Sequence, residues 1–308
     1  MPAAGYDLHP LGAVRGLDRR NPLRAARSAL RAVRAVLTSL RLLRRERPAA
    51  VLGAGGYVAG PVGLAAVLRR VPLVLAEADS HLGLTNRVLA PFARRVCLAF
   101  PLEGRTPPRY RVTGRPTPPP ATDGAAARAR FSIGPDETCV VVFGGSLGAR
   151  SINEAAVEAF AGAEFRVLHV SGERDYPALR DRVRRPGYDL RAFLKLDEFA
   201  QVLATADLVV ARAGGSVFEI AAHGRPAILV PYPHASADHQ TTNARWMADH
   251  GAAVVIPDGE LTAPRLAQEV ARLLGDPGRL TAMARASAAL ARPHAALDVA
   301  RELLDAAS

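Results

Sequence analysis

The stretch DLVVARAGGSVFEIAAHGRPAILVPYP, residues 207–233, holds two apolar runs with a glycine turn and a helix-forming segment between them. DLVVA (207–211) and PAILVP (226–231) read as fully buried strands, and the glycines of RAGGS sit where the helix begins. Strands that are apolar throughout and joined through helices form a parallel sheet covered on both faces. The same alternation continues on either side. AAVLG (49–53), PLVLAE (72–77), RVCLA (95–99), CVVVFGG (139–145), FRVLHVSG (165–172) and AAVVIP (252–257) are further strands, with helices expected at 149–161 and 238–249. Residues 104–124 break the pattern with many prolines and a Gly-Arg-Pro turn, and read as a linker between two α/β halves. A last helix, about 294–307, is expected to pack back across that linker.

Length and composition agree with two domains: 308 residues with 49% hydrophobic content can bury two cores. No apolar run approaches the ~20 residues that span a bilayer, and no segment near the start resembles a signal peptide. The expectation is a protein at most peripheral to a membrane. A formal charge of +11 calls for an anionic partner, whether nucleic acid, phosphorylated substrate or lipid surface. Scarce aromatics and no recognition motif speak against nucleic acid. Cys97 and Cys139 lie in strand-like runs and read as buried free thiols of a cytosolic protein.

Residues 22–47 read as a helix with Asn21 as N-cap, Pro22 at the first position and Pro48 as the stop. Leu23, Ala26, Leu30, Val33, Leu37 and Leu40 would form its packed apolar face. Arg24, Arg27, Arg31, Arg34, Arg41 and Arg45 follow beside it, either as a solvated flank or as a surface resting on anionic head groups.

Ligands of open α/β sheets bind beyond the carboxyl ends of the strands, and the polar motifs of this sequence fall there. GGSLGARS (144–151) follows one strand and opens a helix, where backbone amides and Ser146 can meet a phosphate. GAGGYVAGP (53–61) is a second glycine-rich turn whose Gly55, Gly56 and Gly60 permit close backbone approach. Glu219 lies within the first two turns of the helix after RAGGS, where it either accepts two hydrogen bonds from a ribose diol or complements the helix dipole. HASADHQTTNA (234–244) brings His234, Asp238, His239, Gln240 and Asn243 into one strand-to-helix loop, a density that suits sugar hydroxyls. A metal on His234, Asp238 and His239 is the rival, without a thiolate or third histidine to support it, and no metal site is expected.

Together GGYVAGP, the LTN of HLGLTNR (81–87), GGSLGA, RAGGSVFE, GRPAILVPYPHASADHQTTNA and GAAVVI resemble, in order and over residues 49–300, the MurG UDP-N-acetylglucosamine transferases of peptidoglycan synthesis. The resemblance implies a GT-B fold: two Rossmann-like doubly wound parallel-sheet domains facing a cleft. It divides the chain into an acceptor and membrane-side domain, 1–115 completed by 293–308, and a UDP-GlcNAc-binding domain, 116–292. It implies transfer of GlcNAc from UDP-GlcNAc to the C4 hydroxyl of MurNAc in lipid I, with inversion, giving lipid II at the cytoplasmic face of the membrane. No tightly bound cofactor is implied. On the donor side it sets Gly145 and Ser146 at the diphosphate and Arg212 near the nucleotide. The RAGGS residues Gly214, Gly215 and Ser216 join them, with Glu219 on the ribose, Gln240 on the GlcNAc hydroxyls and the backbone of Leu196 reading uracil. On the acceptor side it implies Gly55, Gly56, Tyr57 and Gly60 at the lipid diphosphate, with Glu77, Asp79 and Asn86 beside them.

The departures are as informative. The family opens with a strand and a GGTGGH-like loop holding a candidate general base, and this sequence starts at a point already past the family's second strand. A start codon placed too late, a fragment, or loss in a degenerate paralogue would each explain that, and the 308 residues alone are then expected to be inactive or very weak. The family's HEQN reads AEAD at 76–79, its NPVR reads RPTP at 115–118, and the arginine-to-glutamate spacing in RAGGSVFE is one residue short. The alternatives are a non-catalytic UDP-sugar-binding module and a GT-B transferase for another lipid acceptor, such as a diacylglycerol galactosyltransferase.

Overall fold

In the computed structural model the described residues are 5–11, 22–145 and 148–308, without the side chains of 22–26 and 236. Asn21 and Ser146, expected as a helix cap and a phosphate ligand, lie outside them. The chain divides into two compact units, Met1–Arg115 with His294–Ser308, and Pro116–Pro293.

The first unit runs α1 (Pro22–Glu46), β1 (Val51–Gly53), α2 (Gly56–Leu68), β2 (Leu73–Glu77), α3 (Leu84–Leu89), β3 (Arg95–Leu98) and β4 (Tyr110–Val112). The strands pair in parallel in the order β1-β2-β3-β4. Alternation sends Leu73, Leu75, Val96 and Leu98 to a core shared with Ala65, Ala66 and Leu89. Val74 and Cys97 point to the opposite face, where the chain's last helix covers them with Val299 and Ala306. Glu302 of that helix bonds Arg95 Nε at 3.0 Å.

Two expectations need correction. The segment read as linker contains β4, held to β3 by Val96↔Tyr110 and Leu98↔Val112. It is a three-residue edge strand with one partner, so its apolar signal is short, and the surrounding prolines hide it. In α1 the packed face differs from the expected one. Ala35, Ser39 and Leu43 are buried, while Leu30, Val33 and Leu37 are about half exposed (53%, 55% and 48%). The packing follows size: small residues on α1 meet the Ala- and Gly-rich α2, and Ser39 Oγ satisfies itself on Ala35 O at 2.7 Å.

The second unit runs α4 (Gly124–Arg130), β5 (Cys139–Phe143), α5 (Arg150–Ala159), β6 (Arg166–Val170), α6 (Tyr176–Arg180), β7 (Tyr188–Arg191), α7 (Leu196–Thr205) and β8 (Leu208–Ala211). It continues through α8 (Val217–Ala222), β9 (Ala227–Leu229), α9 (His239–Asp249), β10 (Ala253–Val255), α10 (Ala263–Leu274) and α11 (Pro277–Ala289), before α12 (Ala295–Ala307) returns to the first unit. Its six parallel strands are ordered β10-β9-β8-β5-β6-β7. Val140, Val142 and Val210 face α5 and α10 through Ile152, Ala156, Leu266 and Val270. On the other face Phe143 meets Phe199 of α7 edge-on, ring centres 4.9 Å apart. Cys97 and Cys139 are free and buried, and burial pushes their thiols up to about 12 and about 11.

Candidate functional site

Strand order reverses beside β5: the chain steps outward to β6 and β7, then returns on the other side with β8. Connections on the two sides of such a point leave a crevice beyond the strand ends. A slot of ≈ 320 Å³ lies there. Phe143 and Gly145 after β5, Val170 and Gly172 after β6, and Ser216 and Glu219 after β8 line it, closed by Phe193, Leu196 and Phe199 at the start of α7. Four expected donor residues, Gly145, Leu196, Ser216 and Glu219, therefore share one slot. Leu196 opens α7, where the first backbone N–H groups lack intrahelical acceptors. Ser216 precedes α8 and donates its hydroxyl to Arg212 O at 3.4 Å, and Glu219 stands in the first turn of α8, where a carboxylate also suits the helix dipole. Phe193, Phe199 and Gly172 were not anticipated. The one available signal was the aromatic pair of AFLKLDEF at 192–199.

Arg212, Gln240, Gly214 and Gly215 do not line the slot. Arg212 is buried, and its guanidinium donates to Asp258 Oδ1 (2.6 Å), Ser151 Oγ (2.9 Å) and the carbonyls of Pro231 (3.1 Å) and Val230 (3.2 Å). These bonds tie the end of β8 to α5 and to the loop after β9. Asp258, the ion-pair partner, is itself partly exposed. Gln240 Oε1 accepts from Tyr232 N at 3.0 Å, and its Nε2 stands beside Gly214. Asn243, 1% exposed, donates to Ala213 O at 3.0 Å and so fastens the same turn. Asp238 Oδ1 is taken by Thr241 Oγ1 at 2.7 Å, and among the described residues no group of three His, Cys, Asp or Glu comes together to hold a metal.

Beside the slot, Gly148 adopts φ +73°, and a Cβ there would stand 2.2 Å from Ser171 O. That carbonyl accepts from Asn153 Nδ2 at 2.9 Å, and the same amide donates to Asp175 Oδ2 at 3.0 Å. With both donors used, Asn153 presents Oδ1 to His169 Nε2 at 3.0 Å, so Nε2 carries the proton and Nδ1 accepts from Tyr188 Oη at 2.8 Å. The imidazole is fully buried and burial pushes its pKa down to about 3. Asp175 is held below its ordinary value first by its hydrogen bonds from Arg174. The histidine's linkage has a definite sign. Between its unfolded pKa near 6.5 and about 3 the unfolded chain binds the extra proton, so stability is full above 6.5 and falls as pH drops through that window. Urea unfolding at pH 4.5 and pH 7 is expected to show this loss, and His169→Gln is expected to reduce it.

In the first unit the glycine-rich stretch is mostly helix. Only Ala54 and Gly55 form the turn, with Gly55 at φ +81°, while Gly56, Tyr57 and Gly60 belong to α2. Gly60 faces Thr85 of α3, where a Cβ would make ordinary contact at 3.7 Å. Tyr57 is exposed. Glu77 and Asn86, expected at the acceptor, are buried against each other: Asn86 Nδ2 donates to Glu77 Oε2 (2.9 Å) and Ala76 O (3.0 Å). Glu77 also accepts from the amides of Asp79 (3.2 Å) and Gly83 (2.8 Å). They shape the loop after β2, leaving Tyr57, Asp79 and the amides at the start of α2 as the groups that meet solvent.

Known proteins match both units. The model of the glycosyltransferase family 28 N-terminal domain matches residues 1–98, and that of the family 28 C-terminal domain residues 139–299. A protein of Moorella thermoacetica, named UDP-N-acetylglucosamine–N-acetylmuramyl-(pentapeptide) pyrophosphoryl-undecaprenol N-acetylglucosamine transferase, is 42% identical over 96% of this chain and 84% of its own. A relative of the same name from Desulforudis audaxviator is 40% identical over 96% of this chain and 83% of its own. The crystal structure of Acinetobacter baumannii MurG superposes with a TM-score of 0.75 at 30% identity, covering 90% of this chain and 79% of that one. A calicheamicin glycosyltransferase, 18% identical with a TM-score of 0.65 over 94% of this chain and 86% of its own, shares the fold alone. With both units matched in order and identity of this size along the chain, the protein belongs to the MurG family of glycosyltransferases.

Proposed function

We propose that the protein transfers GlcNAc from UDP-GlcNAc to the C4 hydroxyl of MurNAc in lipid I, giving lipid II. The observation that carries this is the slot of the second unit, where Leu196 and Glu219 stand beyond the strand ends at the switch point. Uracil enters between Phe193, Leu196 and Phe199, the ribose diol binds the Glu219 carboxylate, and the diphosphate runs toward the glycine loop after β5. Ser146 at the diphosphate and Gln240 on the sugar complete the donor reading, with Arg212 acting as a brace. In the first unit, the turn at Gly55, the start of α2 at Gly56 and Tyr57, and Asp79 after β2 receive the acceptor diphosphate, with Glu77, Asn86 and Gly60 supporting them. The acceptor oxygen attacks the anomeric carbon as the bond to the β-phosphate oxygen breaks. A general base takes the acceptor proton, UDP leaves with the bonding electrons, and configuration inverts.

Lipid I requires a membrane, and α1 supports peripheral docking. No helix among the described residues is long and apolar enough to cross one. Leu30, Val33 and Leu37 are exposed alongside Arg27, Arg31, Arg34 and Arg41, which favours an anionic surface over a plain solvated flank. The paired change Leu30→Ser with Leu37→Ser is expected to weaken binding to phosphatidylglycerol vesicles by roughly tenfold or more. Turnover on a detergent-soluble lipid I analogue is expected to stay unchanged. Cosedimentation and the soluble assay check the two halves of that statement.

Radiolabelled GlcNAc transfer from UDP-GlcNAc to a lipid I analogue, with calorimetry of UDP-GlcNAc binding, tests the reading. Binding with transfer supports it. Binding without transfer by this chain and also by a form extended upstream with a GGTGGH-type segment favours a UDP-sugar-binding module, transfer by the extended form alone keeps the enzyme reading, and absence of binding removes the donor-site assignment.

A further inference from the structure

Behind the slot runs a line of buried polar groups that the transfer reaction leaves unused. It passes from Tyr188 on β7 through His169 on β6 and Asn153 on α5 to Ser171 and Asp175. His169, Asn153 and Ser171 are each fully buried, inside a sheet core that is otherwise apolar. Leucine or valine at these positions would fill the volume without the desolvation that buried polar groups carry. What the polar chain adds is a fixed position for one atom, the carbonyl oxygen of Ser171. On one side that oxygen abuts the backbone of Gly148, at the end of the loop after β5. On the other its chain continues into Gly172, at φ +85°, which lines the slot. The turn after β6 is thus wedged between the glycine loop and the nucleotide slot, and Asn153 Nδ2 sets its depth.

We propose that His169 and Asn153 are positioning residues for the donor: by fixing Ser171 O they set the spacing between the β5 glycine loop and the β6 turn, and with it the fit of a nucleoside diphosphate. This rests on reading the slot as the nucleotide site. His169 acts through Asn153, because its Nε2–H orients the amide so that Nδ2, not Oδ1, meets the carbonyl. Tyr188 acts one step further back by fixing the tautomer. Neither side chain touches the ligand.

UDP titration by calorimetry on the full chain tests the proposal, using His169→Leu, His169→Gln and Asn153→Asp. Glutamine places an Nε2 donor near that of histidine, so His169→Gln is expected to bind UDP within about threefold of the wild type. His169→Leu, with the orienting bond gone, is expected to bind about tenfold more weakly, the size of one lost hydrogen bond. Asn153→Asp keeps volume and the histidine contact but loses both donations, and is expected to fall at least as far. In turnover the loss is expected in KM for UDP-GlcNAc, with kcat and acceptor KM within about twofold of wild type. Thermal melting identifies folded variants, and if His169→Leu does not fold, Asn153→Asp decides. A folded His169→Leu or Asn153→Asp that binds UDP like the wild type overturns the proposal, as does a His169→Gln no better than leucine. A wild type that binds no UDP overturns the slot reading and this proposal with it.

Discussion

Glu219→Ala is expected to weaken UDP binding by roughly 30- to 1,000-fold, which corresponds to losing two hydrogen bonds to a carboxylate at about 1–2 kcal/mol each. Glu219 lines the slot from the first turn of α8, beside Ser216, and a carboxylate can accept from both hydroxyls of a vicinal diol. A role limited to the helix dipole would cost only about 0.3–1 kcal/mol and would appear as a small fall in stability. The two roles separate cleanly when calorimetry is repeated with 2′-deoxy- and 3′-deoxy-UDP. Wild-type protein is expected to discriminate against both analogues, whereas Glu219→Ala should bind UDP and the deoxy analogues alike. Equal discrimination in the two proteins would remove the ribose contact. The full effect is expected in KM for UDP-GlcNAc.

Gly148→Ala is the second large effect. The positive φ alone costs a non-glycine residue about 1 kcal/mol or more. The added carbon would meet Ser171 O at 2.2 Å, so one backbone must move by about 1 Å to reach ordinary contact distance. Overpacking of that kind costs about 1–3 kcal/mol, so melting is expected to fall by roughly 5–10 °C. UDP affinity is expected to fall by about 100-fold, since positional errors near 1 Å are that expensive at a binding site. Gly162→Ala is the control: nothing stands within 4 Å of the added carbon, and both melting and UDP binding should stay unchanged.

The parallel sheets were legible because burial on both faces makes their strands continuous apolar runs, such as CVVVF and DLVVA. β4 was hidden because Tyr110–Val112 is short, charged at Arg111 and partnered on one side only. The face of α1 is not legible from large apolar residues alone. Close approach to α2 instead selects Ala35 and Ser39, leaving Leu30 and Leu37 outside. Within the slot, Gly145, Ser216 and Glu219 could be read because they follow recognisable strand ends. Gly172 and Phe193 enter it through the register of β6 and β7, which pairs Val170 with Arg191 and carries no local motif. The bond of Arg212 to Asp258 is not legible in the sequence, because that counterion lies far along the chain in a loop without periodicity.

The order of manufacture follows from α12. Residues Pro116–Pro293 form one uninterrupted unit, whereas the other unit needs Val299 and Ala306 to cover Val74 and Cys97. The later-encoded unit is therefore contiguous, whereas the earlier-encoded one is complete only once α12 has been made. Until then one side of the earlier unit's sheet is bare. A chain cut short near Pro293 would hold the contiguous unit whole and leave Val74 and Cys97 of the other uncovered. Such a chain is a natural client for chaperones that grip exposed valine and leucine.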